Sequence, residues 1–349
     1  MVLLAWLAFF ISAVLIPITI IICKQYKIYD KINSRKIHSG NIPRLGGLAV
    51  VISFTICAAM YEFSFSHDKG VISFPVIIGG LIIFMMGIID DFHSLRARLK
   101  LFFQCTVALI IVLSGYRFKQ IFSFTVPVLF AQIITFCWIV GIVNAFNLID
   151  GLDALCGGLS FLILATLYII FARSAQDAAA ICLILCGSIA GFLLYNKPPA
   201  KIFLGDGGSQ FLGFVVAVCP LFYSTVNYEY NKVLIMIVLV SIPMTDTIAA
   251  VWRRTREHRS FFSPDRAHIH HKLINIGFSK VSAVVFLLGL QLLVCLSVCL
   301  AMYLQTFKGT ILLCVTYAFI LMFFSILHYI NRKVNMNGTG LLSENPEKE

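Results

Sequence analysis

Apolar runs separated by short polar interruptions recur along the whole chain, and most approach the roughly 20 residues that cross a hydrocarbon core. They lie at about 1–22, 45–65, 72–90, 99–115, 126–145, 156–172, 178–195, 208–223, 232–251, 281–303 and 308–330. Read as helices, they predict an all-α, polytopic integral membrane protein with about eleven transmembrane helices and its ends on opposite sides. Residues 1–330 then form one membrane-embedded domain, and 331–349 a polar, disordered tail. No internal repeat and no separate soluble domain is visible.

Composition supports the class: 60% of 349 residues are hydrophobic and 12% charged, with a mean hydropathy of +0.93, outside the range of a soluble domain. Charge adds direction. Lysine and arginine are retained on the cytoplasmic side, and alternate connecting segments hold all of the 27 except Lys69, Arg117, Lys119, Arg173, Lys232 and Lys308. The N-terminus is therefore expected outside and the C-terminus in the cytosol. The first run has no basic residue before it, and Lys24 and Lys27 follow it, the pattern of an uncleaved anchor rather than a signal peptide. The net charge of +11 is topology signal and attraction to anionic headgroups; no nucleic-acid partner is expected. Eleven cysteines include no Cys-x-x-Cys pair, and most fall inside apolar runs as small packing residues.

Five polar clusters fall on the segments assigned to the cytosol. Asp90 and Asp91 end the third run beside Arg96, Arg98 and Lys100. Adjacent carboxylates at membrane depth need a cation, a proton or a place just past the interface, although a solvated helix end is the plainer reading of the pair alone. Asn144, Asn147, Asp150 and Asp153 follow at every third position. On a regular helix they drift over roughly half the circumference, so they meet one ligand only if the helix breaks, with Gly151 the expected place. Lys201 to Ser209 enters the eighth run through Gly205-Asp206-Gly207-Gly208. A glycine-rich helix start cradles anions, and an aspartate inside it is explained by a divalent cation bridging carboxylate and phosphate. Magnesium, which keeps water and takes one or two carboxylates plus substrate phosphates, is favoured, with manganese a possible substitute. In the ninth segment, Asp265-Arg266-Ala267-His268-Ile269-His270-His271-Lys272 suits a pyrophosphate, a solvated surface or a metal; the flanking cations favour the first. The first segment carries Arg35, Lys36 and His38, then Pro43-Arg44-Leu45-Gly46-Gly47. It reads either as a basic topology loop or as a contact for a phosphorylated lipid.

Taken in order, these five clusters resemble the polyprenyl-phosphate N-acetylhexosamine-1-phosphate transferases over nearly the whole chain. The His-Ile-His-His form is similar to the branch that uses UDP-N-acetylglucosamine; the peptidoglycan branch usually carries three consecutive histidines. Ala154, Cys156 and Gln210 stand where glycine, alanine and an apolar residue are common, and none of them removes a charge. The resemblance implies a phosphoglycosyltransferase at the cytosolic face of the bacterial cytoplasmic membrane. It would transfer N-acetylglucosamine 1-phosphate from UDP-N-acetylglucosamine to undecaprenyl phosphate, release UMP, and open synthesis of a surface polysaccharide such as O-antigen or teichoic acid. It also implies catalytic roles for Asp90, Asp91, Asp150, Asp153 and Asp206, with Asp206 and Asp150 at the metal. Asn147, Arg266, His268, His270, His271, Arg44 and Lys36 would bind substrates, and the assembly would be a homodimer. Another UDP-N-acetylhexosamine is an alternative donor. A cation-coupled transporter is the alternative class, although transporter sites usually lie at the midplane of repeated units. Direct attack by the lipid phosphate and a covalent aspartyl-phosphate step are both open.

Overall fold

The computed structural model describes residues 1–29, 42–64, 74–172, 175–221, 226–260 and 267–336. Among these, thirteen α-helices follow one another: α1 Val2–Gln25, α2 Gly46–Ser64, α3 Phe74–His93, α4 Ala97–Leu113, α5 Val128–Ile149, α6 Leu155–Phe171, α7 Gln176–Asn196, α8 Gly205–Val218, α9 Val226–Leu239, α10 Ser241–Arg256, α11 Ile269–Asn275, α12 Lys280–Tyr303 and α13 Thr306–Met336. A two-stranded hairpin, β1 Gln120–Ile121 and β2 Phe124–Thr125, separates α4 from α5.

The chain is an all-α polytopic membrane protein. Each of the eleven apolar runs contains helix among its described residues, but only seven described helices are long and apolar enough to span: α1, α2, α3, α5, α7, α12 and α13. The ninth run is not one straight helix. It breaks at Val240 into α9 and α10, bent by 71°, and counting the pair as one span brings the number to eight. The remaining shortfall is one of length. α4 and α6 have 17 residues each and α8 has 14, so α8 rises only about 21 Å against a core of about 30 Å. At the other extreme, α13 runs for 31 residues and continues to Met336, past the boundary expected at 330. Residues 337–349 lie outside the described part.

Short as it is, α8 is the centre of the site-bearing half. It packs against α2, α3, α5 and α6, and all of its residues except Asp206 and Val215 are buried. Two glycine contacts let it approach so closely. A side-chain carbon on Gly87 of α3 would lie 2.4 Å from Gly207 Cα, and one on Gly47 of α2 would lie 2.4 Å from Gly208 Cα. The glycines of the Gly205–Gly208 run thus serve helix packing, and the run brings Asp206 to the junction of α2, α3 and α8. A rank of amides stiffens the same region: half-buried Asn144 donates through Nδ2 to Gln104 Oε1 at 2.6 Å, and buried Gln104 through Nε2 to Gln210 Oε1 at 2.8 Å, joining α5, α4 and α8.

Candidate active site

Three distant chain segments meet where α8 begins. Residues 43–47 pair with 203–204 through Phe203 N to Pro43 O at 2.8 Å, Gly46 N to Phe203 O at 2.9 Å and Gly47 N to Leu204 O at 2.8 Å. This pairing delivers Arg44 to two carboxylates: Nε reaches Asp91 Oδ1 at 2.9 Å, and Nη2 reaches Asp206 Oδ1 at 2.5 Å. Lys100, in the first turn of α4, forms an ion pair with Asp90 and reaches Asp206 Oδ2 at 3.1 Å. The segment read as either topology loop or substrate contact therefore supplies, through Arg44, a member of the carboxylate cluster.

The cradle expected at the start of α8 is present, but a side chain fills it. Asp91 accepts from Asp206 N at 2.9 Å and Gly207 N at 3.1 Å, so a carboxylate takes the two N–H groups that a phosphate would use. Gly205, at φ +79, has room for no side chain, since Arg44 O would lie 2.2 Å from its first carbon. Asp90 accepts from Leu95 N at 2.7 Å and closes the turn after α3. The side chains of Asp90 and Asp91 are 4% and 1% exposed against 15% for Asp206, 25% for Arg44 and 23% for Lys100. A ligand therefore meets Asp206, Arg44 and Lys100, while Asp90 and Asp91 lie behind them. Burial alone would raise the Asp206 carboxyl, but the charges of Arg44 and Lys100 outweigh that and hold it well below the usual carboxylate range.

The run from Asn144 to Asp153 spreads out as its spacing requires. α5 stays regular to Ile149, so Asn144 turns to Gln104 while Asn147 accepts from Ser209 Oγ at 3.0 Å. The break falls at Asp150 to Ala154, as expected around Gly151: Gly151 N closes back on Ile149 O at 2.8 Å. Ala154, where glycine is common in the family it resembles, takes the left-handed φ of +64 that favours glycine. Asp150 caps α5. Asp153 accepts from Ala200 N at 3.0 Å, tying this turn to the segment leading into α8.

Gly151 has a second role. Any side chain there would lie 2.4 Å from His270 Nε2, so the imidazole rests directly on the turn beside Asp150. His270 and His271 have ring centres 4.3 Å apart, and His268 and His270 lie nearly parallel at 6.0 Å. At the far end, His268 Nδ1 meets Asp246 Oδ2 at 2.8 Å. Burial pushes His270 well below its ordinary value, and the charges of His271 and His268 push the same way. A buried neutral histidine lowers stability when acid protonates the unfolded chain first. Stability should therefore hold above the unfolded value of about 6.5 and decline as pH falls from there toward the depressed folded value, by up to about 1.4 kcal/mol per pH unit. Thermal unfolding of the protein in nanodiscs from pH 8 to pH 5 reads this slope, and His270→Asn should flatten it; an unchanged slope in the variant would assign it elsewhere.

The structure thus joins Asp90, Asp91, Asp206 and Arg44 in one cluster. Ser209 links that cluster to Asn147, with Asp150 and Asp153 on the adjoining turn, His270 packed against Gly151 of that turn, and His268 and His271 beside His270. Lys36 and Arg266 lie outside the described residues. Sequence reasoning offered Lys100 only as one of three nearby cations and passed over Asp246, whose signal was a carboxylate inside an apolar run. Among the described residues no three His, Cys, Asp or Glu side chains gather as a closed metal site. Carboxylate oxygens are the donors that magnesium takes, with water and phosphate oxygens completing its shell; in this arrangement both oxygens of Asp206 are held by Arg44 and Lys100.

Comparison with known proteins gives this geometry its setting. The model of glycosyl transferase family 4 matches residues 73–224. The probable undecaprenyl-phosphate N-acetylglucosaminyl 1-phosphate transferase of Bacillus subtilis is 34% identical over 297 residues, covering 81% of each chain. The undecaprenyl-phosphate alpha-N-acetylglucosaminyl 1-phosphate transferase of Escherichia coli K12 is 29% identical, over 76% of this chain and 74% of its own. The decaprenyl-phosphate N-acetylglucosaminephosphotransferase of Mycobacterium tuberculosis H37Rv is 30% identical, over 72% and 71%. The chain belongs to the polyprenyl-phosphate N-acetylhexosamine-1-phosphate transferases, membrane phosphoglycosyltransferases that move a sugar phosphate onto a polyprenyl phosphate.

Proposed function

We propose that the enzyme transfers N-acetylglucosamine 1-phosphate from UDP-N-acetylglucosamine to undecaprenyl phosphate, as the first membrane step of a surface polysaccharide. The observation that carries this reading is the meeting of Arg44, Lys100 and Asp206 at the one partly open point of a buried carboxylate cluster. The donor is chosen on the His-Ile-His-His sequence and on the names of the relatives. An attacking oxygen of the lipid phosphate forms a bond to the β-phosphorus of the donor, the bond from that phosphorus to the bridging oxygen breaks, and UMP leaves. A phosphomonoester with a second pKa of about 6 is already largely a dianion, so the attack needs alignment and charge neutralisation more than a base.

Arg44 and Lys100 meet the phosphates, Asp90 and Asp91 hold those cations in place, and Asn147, Asp153 and the histidine row frame the donor. Asp206, with Asp150 at the adjacent helix end, would hold magnesium. Bound there, the ion would neutralise charge on the transferring phosphate. Counting α4, α6 and α8 as spans gives eleven crossings, with the N-terminus outside and the site on the cytosolic face, the arrangement that the lysine and arginine distribution favours. The homodimer implied by the family is carried over with the reaction.

Purified protein given undecaprenyl phosphate and UDP-N-acetylglucosamine should release UMP only with the lipid present and lose that activity in EDTA. With a chirally labelled β-phosphate the product should be inverted. Release with another UDP-N-acetylhexosamine alone would change the donor, net retention would require a covalent intermediate, and activity undiminished in EDTA would remove the metal.

A further inference from the structure

Asp246 lies in α10, the arm bent away from α9, and is 1% exposed. A carboxylate buried so deeply in a membrane protein is costly unless its charge is met. Among the described residues, no lysine or arginine pairs with it. Both of its oxygens go instead to the histidine row: Oδ2 to His268 Nδ1 and Oδ1 to Ile269 N, each at 2.8 Å. An ionised carboxylate only accepts hydrogen bonds, which assigns a proton to Nδ1. His268 is itself 5% exposed, and among the described residues nothing takes its Nε2. The row is therefore pinned at both ends, by Gly151 beneath His270 and by Asp246 behind His268, and one ring nitrogen at the Asp246 end is left to meet a ligand.

We propose that Asp246 is a positioning residue of the transfer reaction: by accepting the hydrogen bond of His268 Nδ1–H it fixes the ring and stabilises it as an imidazolium, whose Nε2–H donates to the diphosphate of the nucleotide sugar. The proposal rests on the reading above that the histidine row faces the donor. Outer partners that orient a functional histidine typically contribute about 10–100-fold, and a loss of that size in kcat/KM is expected for Asp246→Asn. Asparagine is nearly isosteric and keeps an oxygen for Ile269 N, but it carries no charge to support His268 as an imidazolium.

The test is a double-mutant cycle in nanodiscs on Asp246→Asn, His268→Asn and the pair, reading UMP release and thermal midpoint, with 15N spectra of histidine-labelled wild type. If Asp246 acts through His268, the double variant is no slower than His268→Asn alone, and the wild-type spectrum shows His268 protonated at Nδ1. Additive losses, an Asp246→Asn variant as active as wild type, or a proton on Nε2 alone would overturn the proposal. Should Asp246→Asn fail to fold, the spectrum decides. A wild type that releases no UMP from any UDP-sugar would overturn the functional reading, while the spectrum would still decide whether His268 carries a proton on Nδ1 toward Asp246.

Discussion

Asp206→Asn should lower kcat by roughly 10³-fold or more while leaving the fold intact. The substitution keeps the size of the side chain and removes its charge. Arg44 then retains Asp91, and Lys100 retains Asp90, so neither cation is left buried and alone, and the thermal midpoint should move by only a few degrees. What is lost is the one carboxylate of the cluster that both cations share and that stays partly open. Asp206 aligns Arg44 and Lys100, the cations proposed to meet the phosphates; loss of one preorganised group of that kind costs about 10²–10³ in rate, and loss of the proposed magnesium ligand would add to it. UMP release in nanodiscs reads the rate and differential scanning fluorimetry the fold. A variant within tenfold of wild type would take Asp206 out of the chemistry.

A comparable loss should follow from a change that touches no charge at all. In Gly87→Ala the added methyl would sit 2.4 Å from Gly207 Cα, 2.6 Å from its N and 2.7 Å from Asp206 O. Carbon atoms rest at about 3.5–4.0 Å, and all three neighbours are backbone, so α3 and α8 must part by about an ångström. That movement acts on the hydrogen bonds from Asp206 N and Gly207 N to Asp91. Overpacking of this kind costs about 1–3 kcal/mol, and a misplacement of about 1 Å can cost 10²-fold in rate. Gly289→Ala in α12 is the matched control, because nothing lies within 4 Å of the added carbon, and its rate should stay at the wild-type value. Equal activity in Gly87→Ala and Gly289→Ala would mean that the close approach of α3 and α8 is not needed.

The helices and the clusters were legible in the chain because lipid demands long apolar runs and tolerates charge only for a reason. Span length was less so. α8 reads as one more apolar run, yet 14 helical residues suffice because it is surrounded by other helices rather than lipid. The bend at Val240 had a signal in Pro243, which sits in the first turn of α10, but Pro17 lies inside an unbroken α1, so a proline alone does not separate the two outcomes. Partners were the least legible feature. The glycines before Ser209 fit an anion cradle as well as they fit close packing, and only the tertiary fold shows Asp91 in the place of the anion. Lys100 could be told from Arg96 and Arg98 only once α4 had set which of the three faces α8. Asp246 was hidden by its own run, since average hydropathy masks one carboxylate among apolar neighbours.

Arg44 and Asp206 are 162 residues apart in the chain, and Lys100 and Asp206 are 106 apart. At a synthesis rate of about 5–20 residues per second, Arg44 leaves the ribosome roughly 10–30 s before its partner exists. During that interval the first half of the protein enters the bilayer with Arg44, Asp90, Asp91 and Lys100 already made and α8 still missing. Their place at or beside helix ends makes the wait affordable for a nascent chain, whereas the same groups in the middle of a span would oppose insertion. The position of the cluster is thus a condition of biogenesis as well as of chemistry, and the site closes only when the eighth helix arrives.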